Sequence, residues 1–191
     1  MSNTADPVLP NWPLRLISEL DAADRRAECV ARGLGSVQLN WQPRPGAWSI
    51  AQCLEHLRVG NEILIPVLSA ALEGHQKRAV DEITPGWISR WFIRTYIAPN
   101  PGGTRAQAPR KIQPDRQVEL TVLDGFLRST EAARALVRRA SGYDVNRIRY
   151  RNPFVPLLRF TVGTGLEIIA KHAGRHLLQA EGVRQSADFP G

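Results

Sequence analysis

Hydrophobic residues recur at intervals of three and four along four stretches of the chain. The first set, after Pro13, is Leu16, Leu20, Ala23, Ala27, Val30 and Leu34. The second is Ile50, Leu54, Leu57, Leu64 and Leu68, with polar Asn61 filling one place in the stripe. The third is Val122, Phe126, Ser129, Ala133, Leu136 and Ala140. The fourth, from about Thr164 to Arg184, carries Leu166, Ile169, Ala173 and Leu177. Such spacing places each set on one face of a helix, and four one-sided helices must bury those faces against one another. The pattern predicts an all-α four-helix bundle.

Helix starts are written in the polar residues between the stripes. Ser49 with Gln52 has the spacing of a capping box, and Trp48 with Cys53 that of a hydrophobic staple. Thr164 with Glu167 repeats the box and predicts that the last helix starts there. Gly46, Gly142 and Gly163 fall at expected breaks.

The second and third helices are joined by a long connection, from about Gly74 to Pro114. It is too long for a turn and predicts a crossover that lets the two helices run in the same direction, an up-down-down-up course. Within it, PGWISRWFIRTY carries Trp87, Trp91, Phe92 and Tyr96 at spacings that favour one side of a short helix. Burial of that side over one end of the bundle is expected, leaving PNPGGTRAQAP as the mobile part. The alternating RIRYR, with Arg147, Arg149 and Arg151, predicts a short extended segment with one basic face. No internal repeat and no second domain is apparent, so residues 1–191 are expected to form one domain with its core at about 12–184.

Composition narrows the class. Hydrophobic residues make up 43% and charged residues 23%, which suits a folded globular chain and not a disordered one. No stretch approaches the ~20 apolar residues of a membrane span, and the N-terminus lacks the pattern of a signal peptide. Two cysteines, Cys29 and Cys53, are too few for a disulfide scaffold and are read as structural core residues; a cytoplasmic location is expected. The net charge is +7, but its basic residues are scattered and read as a solvated surface without a nucleic-acid-binding module. No GxGxxG, P-loop, GxSxG or paired CxxC motif is present.

Candidate chemistry rests on histidine. His172, His176 and Gln179 share one helix face with Ile168 and Ile169, and His56 shares an inward stripe with Gln52, Cys53 and Gly60. Gly60 and Gly165 are expected to leave room between the helices. An i, i+4 histidine pair forms a natural clip for a metal ion in a bundle core. Such pairs also occur as hydrogen-bonded or surface histidines, and on spacing alone both readings stay open. His75, in EGHQKR at a polar helix end, reads as solvated.

LNWQPRPGAWSIAQCLEHL (39–57) followed by HAGRHLLQAEGVR (172–184) resembles the DinB/YfiT-like superfamily, in particular its DinB_2 branch. The resemblance implies a four-helix bundle with a long second connection. It also implies a divalent metal (zinc, nickel or iron(II)) held by one histidine of the second helix and two of the fourth, here His56, His172 and His176. Gln52, Glu55 and Gln179 are then candidates for positioning a ligand or touching substrate. Characterised relatives include thiol-dependent S-transferases and a maleylpyruvate isomerase. The resemblance therefore implies a small-molecule substrate and admits a low-molecular-weight thiol co-substrate, with thiol transfer or hydrolysis at an electrophilic centre. Related iron enzymes of thiohistidine synthesis carry a glutamate where this chain has Leu178, which argues against oxygen-activating iron. The contrasting expectation is a non-catalytic helical interaction or dimerisation module of the stress response. Beyond substrate, a homodimer is the one partner admitted; neither nucleic acid nor membrane is expected.

Overall fold

The structure is a computed structural model and describes residues 10–99 and 108–191. In chain order its helices are α1 (Asn11–Ala31), α2 (Ser36–Asn40), α3 (Ile50–Ala71), α4 (Trp87–Phe92), α5 (Val122–Ala140) and α6 (Val162–Arg184). A two-stranded antiparallel ribbon, β1 (Arg149–Arg151) and β2 (Arg159–Thr161), precedes α6. The four long helices are the four striped segments of the sequence, so the architecture is a four-helix bundle. α3 and α1 lie on opposite sides of it, and each packs against both α5 and α6.

The apolar stripes merge into two core clusters, one toward each end. Ala23, Ala27 and Val30 late in α1 meet Ile50, Leu54 and Leu57 early in α3, Val122 and Phe126 early in α5, and Ala173, Leu177 and Ala180 late in α6. At the other end Leu16 and Leu20 meet Leu64 and Leu68, Leu136 and Val137, and Leu166 and Ile169. α3 and α5 therefore both begin at the end where α1 and α6 finish, and the connection between them runs back along the bundle. Each fully buried Leu or Phe contributes about 1.5–3 kcal/mol, which makes these stripes the main source of stability. The polar interruptions of two stripes are partners: Asn61 of α3 donates to the Ser129 hydroxyl of α5 across 3.0 Å, satisfying a buried amide.

Ion pairs tie α1 to its neighbours. Arg134 of α5 is gripped by Asp21 and Asp24 of α1 at 3.2 and 2.7 Å. Arg26 pairs with Glu181 of α6 at 2.6 Å, and Arg15 with buried Glu167.

Several boundaries differ from the sequence reading. α1 ends at Ala31, before Leu34, because Gly33 adopts a left-handed φ of +79° and turns the chain. α6 begins at Val162, with Thr161 as its cap; the Thr161 hydroxyl accepts the Thr164 N–H, while Glu167 is taken up by Arg15 and Lys171. Gly163 is consequently helical and does not mark a break. A Cβ there would come within 2.9 Å of Ile83 and 3.2 Å of the Val145 carbonyl, so glycine permits close packing. Of the RIRYR segment only Arg149–Arg151 forms a strand, β1, with Tyr150 buried against the bundle and Arg149 and Arg151 outside, while Arg147 lies in the preceding turn.

The aromatic piece docks by a different side from the one expected. Phe92 and Ile97 pack against the core cluster built from Leu16, Leu64 and Leu166, which includes buried Ile93, and the Phe92 ring lies 5.1 Å from Phe160. Trp87 and Trp91 are 73% and 48% exposed. The π-helical turn at Ile93–Ile97 follows directly on α4 and carries the docked Ile93 and Ile97. Most of PNPGGTRAQAP, expected to be mobile, lies outside the described residues.

Candidate metal centre

The capping box at the start of α3 is formed as the sequence predicts. The Ser49 hydroxyl accepts the Gln52 N–H at 3.1 Å, and the Gln52 side chain accepts the Ser49 N–H at 3.0 Å. This fixes where α3 begins and sets His56 one turn beyond Gln52, facing α6. Gln52 also donates to the Asp115 carbonyl at 2.9 Å, pinning the end of the long connection against α3. That connection then presents the Ile112 carbonyl, from a short 3₁₀ turn at Arg110–Ile112, to His56 Nδ1 at 2.6 Å.

His172 and His176 come from one face of α6. The Nε2 atom of His172 lies 3.1 Å from His56 Nε2 and 3.1 Å from His176 Nε2, so three ring nitrogens from two helices converge. His56 and His176 are buried and His172 is half-buried. On its far side His176 Nδ1 faces the Gln179 side-chain oxygen at 3.1 Å. A backbone carbonyl only accepts, so His56 must carry its proton on Nδ1, and the amide oxygen of Gln179 fixes His176 the same way. Both Nε2 atoms therefore present lone pairs to the same point. A single proton on His172 Nε2 leaves the cluster with an excess of acceptors.

Protons are kept off these rings by their surroundings. Burial and the Arg175 charge lower the His56 pKa against the opposing effect of the Ile112 carbonyl. Burial, then the neighbouring imidazoles and Arg175, hold His172 well below the ordinary histidine range. Burial is also the main cause for His176, which is lowered to about 3. The rings are neutral at physiological pH, the state in which imidazole binds a metal.

This donor set fits a divalent ion. Two nitrogens 3.1 Å apart that share an ion at ~2.1 Å subtend ~95° at it, close to the angles of common three-imidazole sites. No carboxylate or thiol joins the cluster among the described residues.

The other sequence candidates separate. Gln179 touches His176, as a positioning residue does. Gln52 acts one layer further out, holding the segment that carries the Ile112 carbonyl. Glu55 is paired with Arg58 at 2.7 Å and lines a surface groove of 560 Å³ between α3 and α5; it makes no hydrogen bond to an imidazole. Neither that groove nor a second one of 380 Å³ beside His75 is lined by the three histidines. His75 is exposed, as expected. Cys53 is buried, with its thiol pKa pushed up by burial, whereas Cys29 is exposed on α1 and is not the core residue expected. Gly165 does not open space either: a Cβ there would meet Leu68 at 2.6 Å. Gly60 does have open space around it.

The family model of the DinB superfamily matches residues 19–180, a span that includes all three histidines. The chain belongs to the DinB superfamily. Among solved structures, it is similar to YfiT from Bacillus subtilis, a probable metal-dependent hydrolase with an unusual four-helix bundle topology. The TM-score is 0.57 at 14% identity, covering 96% of this chain and 91% of that one, a likeness of fold. No curated protein matches.

Two contributors to this candidate site escape a sequence reading. Trp48 stacks on His176, with ring centroids 5.4 Å apart at 28°, and leans on His56 at 4.7 Å. Its place just before the Ser49 cap was the available signal, and that signal suggested only a staple. The Ile112 carbonyl has no side-chain signature at all. Leu178, at the position of the iron enzymes' glutamate, is 46% exposed.

Proposed function

We propose that the protein is a metal-dependent enzyme that holds one divalent ion (zinc, nickel or iron(II)) through the Nε2 atoms of His56, His172 and His176. The observation that carries this reading is the convergence of three ring nitrogens within 3.1 Å contacts, two of them with their protons fixed on the far side. When bound, such an ion lowers the pKa of a thiol or water and supplies a nucleophile at neutral pH. The reaction proposed is attack on an electrophilic small molecule, as thiol transfer with a low-molecular-weight thiol or as hydrolysis with water.

The chain's own residues shape that chemistry. Three neutral imidazoles and no carboxylate leave the ion its full double charge, and three protein ligands leave a position open. The Ile112 carbonyl and the Gln179 amide hold two rings in orientation, the arrangement that tunes a metal site from outside its ligands. Trp48 covers the His56–His176 side and excludes water there. His172 is the half-buried member of the triad, and its side is the one proposed for substrate entry.

The test compares chelator-treated and metal-reconstituted protein, purified without a histidine tag, on a set of alkyl and aryl electrophiles with glutathione or with water alone. Mass spectrometry of the products distinguishes transfer from hydrolysis. Turnover that appears only on reconstitution and disappears in His172→Ala supports the proposal. Stoichiometric metal with no turnover of any electrophile argues for the non-catalytic module.

A further inference from the structure

The helix of the long connection leaves a face that the bundle does not use. From Trp87 through the π-helical turn to Ile97 the chain is continuously helical, and it docks through Phe92 and Ile93. Its opposite side shows Trp87 at 73%, Trp91 at 48% and Ile88 at 45% exposure, three large apolar residues within two turns. Arg90 and Arg94 flank them and are exposed; Arg90 also donates to the Pro85 carbonyl at 2.8 Å, which holds it beside the patch. No aspartate or glutamate occurs anywhere from Ile83 to Pro114, so the charge of this stretch is uncompensated within itself.

We infer that this face is a docking surface for an anionic lipid bilayer, with Trp87, Ile88 and Trp91 entering the headgroup boundary and Arg90 and Arg94 meeting lipid phosphates. Tryptophan with arginine on one short helical face is the composition of an interfacial segment. No helix among the described residues is long and apolar enough to cross a membrane, so the contact is peripheral.

Two observations favour a bilayer over a second copy of the chain. Trp87 and Trp91, of up to ~250 Å² each, at these exposures offer about 300 Å², and Ile88 adds a smaller share, well short of the ~800 Å² per partner in a stable interface. A two-fold contact would also set this face against itself, and the stretch from Ile83 to Pro114, with no aspartate or glutamate, offers Arg90 and Arg94 no opposite charge there. An anionic surface supplies the opposite charge, and the attraction weakens with salt.

The test is co-sedimentation of the full chain with phosphatidylcholine vesicles, with and without phosphatidylglycerol. Binding at least tenfold stronger to the anionic vesicles, reversed by high salt, is expected. Trp87→Ser/Trp91→Ser and, separately, Arg90→Gln/Arg94→Gln should each weaken it by tenfold or more. Circular dichroism and bound metal should match wild type, which shows that the variants fold. Absence of binding to phosphatidylglycerol, equal binding to both vesicle types, or wild-type binding by the tryptophan variant would overturn the inference. So would a wild-type dimer in solution that the tryptophan variant converts to monomer, because the patch would then be a protein interface.

Discussion

His56 donates its Nδ1–H to the carbonyl oxygen of Ile112 across 2.6 Å, and this bond turns the opposite nitrogen of the ring toward His172. The carbonyl comes from a segment that lies 56 residues away in the chain and reaches α3 only because the connection runs back along the bundle. Ile112 itself is buried, so its side chain anchors the carbonyl. Ile112→Ala should loosen that anchor without touching a ligand. Positioning partners of this kind are worth ~10–100-fold in metal affinity. Titration calorimetry should show weakening in that range with stoichiometry unchanged.

His172 on α6 and His75, just beyond the end of α3, should behave oppositely. His172→Ala removes the nitrogen that both other rings face, and bound metal should fall to near zero. His75→Ala alters an exposed residue and should leave metal content at the wild-type level. Inductively coupled plasma analysis of untagged proteins decides between them; equal retention in both variants would remove the triad as the site.

Acidification should destabilise the metal-free protein. His176 titrates near 3 when folded and near 6.5 when unfolded, so between these values the unfolded chain binds the extra proton. Stability is then lost as pH falls below about 6.5, at up to ~1.4 kcal/mol per pH unit for each such histidine. His56 and His172 shift in the same direction and add to the effect. Denaturant titrations of chelator-treated protein from neutral pH to pH ~4 should show this slope, and His176→Gln should reduce it. A flat profile would mean that the rings are not buried neutral.

Two glycines that look alike in sequence should respond in opposite ways. A Cβ on Gly165 collides with Leu68 at 2.6 Å and crowds Tyr150 at 3.1 Å, so Gly165→Ala should cost about 1–3 kcal/mol. Gly60 has nothing within 4 Å of its would-be Cβ. Gly60→Ala should therefore be neutral or stabilising by about 0.5–1 kcal/mol through helix propensity alone. Thermal unfolding of the pair checks both signs.

The bundle was legible because period and burial coincide. Each stripe residue from Leu16 to Val30, and from Ile50 to Leu68, is buried where the spacing put it. The polar residues Asn61 and Ser129 were visible as interruptions, but only the packing of α3 on α5 shows that they satisfy each other. The α6 pair followed from i, i+4 geometry; bringing His56 to it required the family resemblance, since periodicity says nothing about which helices face which. The Thr161 cap is not legible in the sequence, because Thr164 has equivalent chemistry three residues on. Large aromatics favour burial, which points Trp87 and Trp91 inward, whereas the docked side is set by Phe92 and Ile93 against Phe160 and the core.

The most direct measurement is X-ray absorption spectroscopy of the untagged protein loaded with one equivalent of zinc. Three imidazole nitrogens at ~2.0–2.1 Å plus one exchangeable water oxygen are predicted, with the imidazole signal diminished in His56→Ala. A shell dominated by carboxylate oxygen or sulfur, or zinc that washes out of the wild-type protein on gel filtration, would contradict a metal centre at His56, His172 and His176.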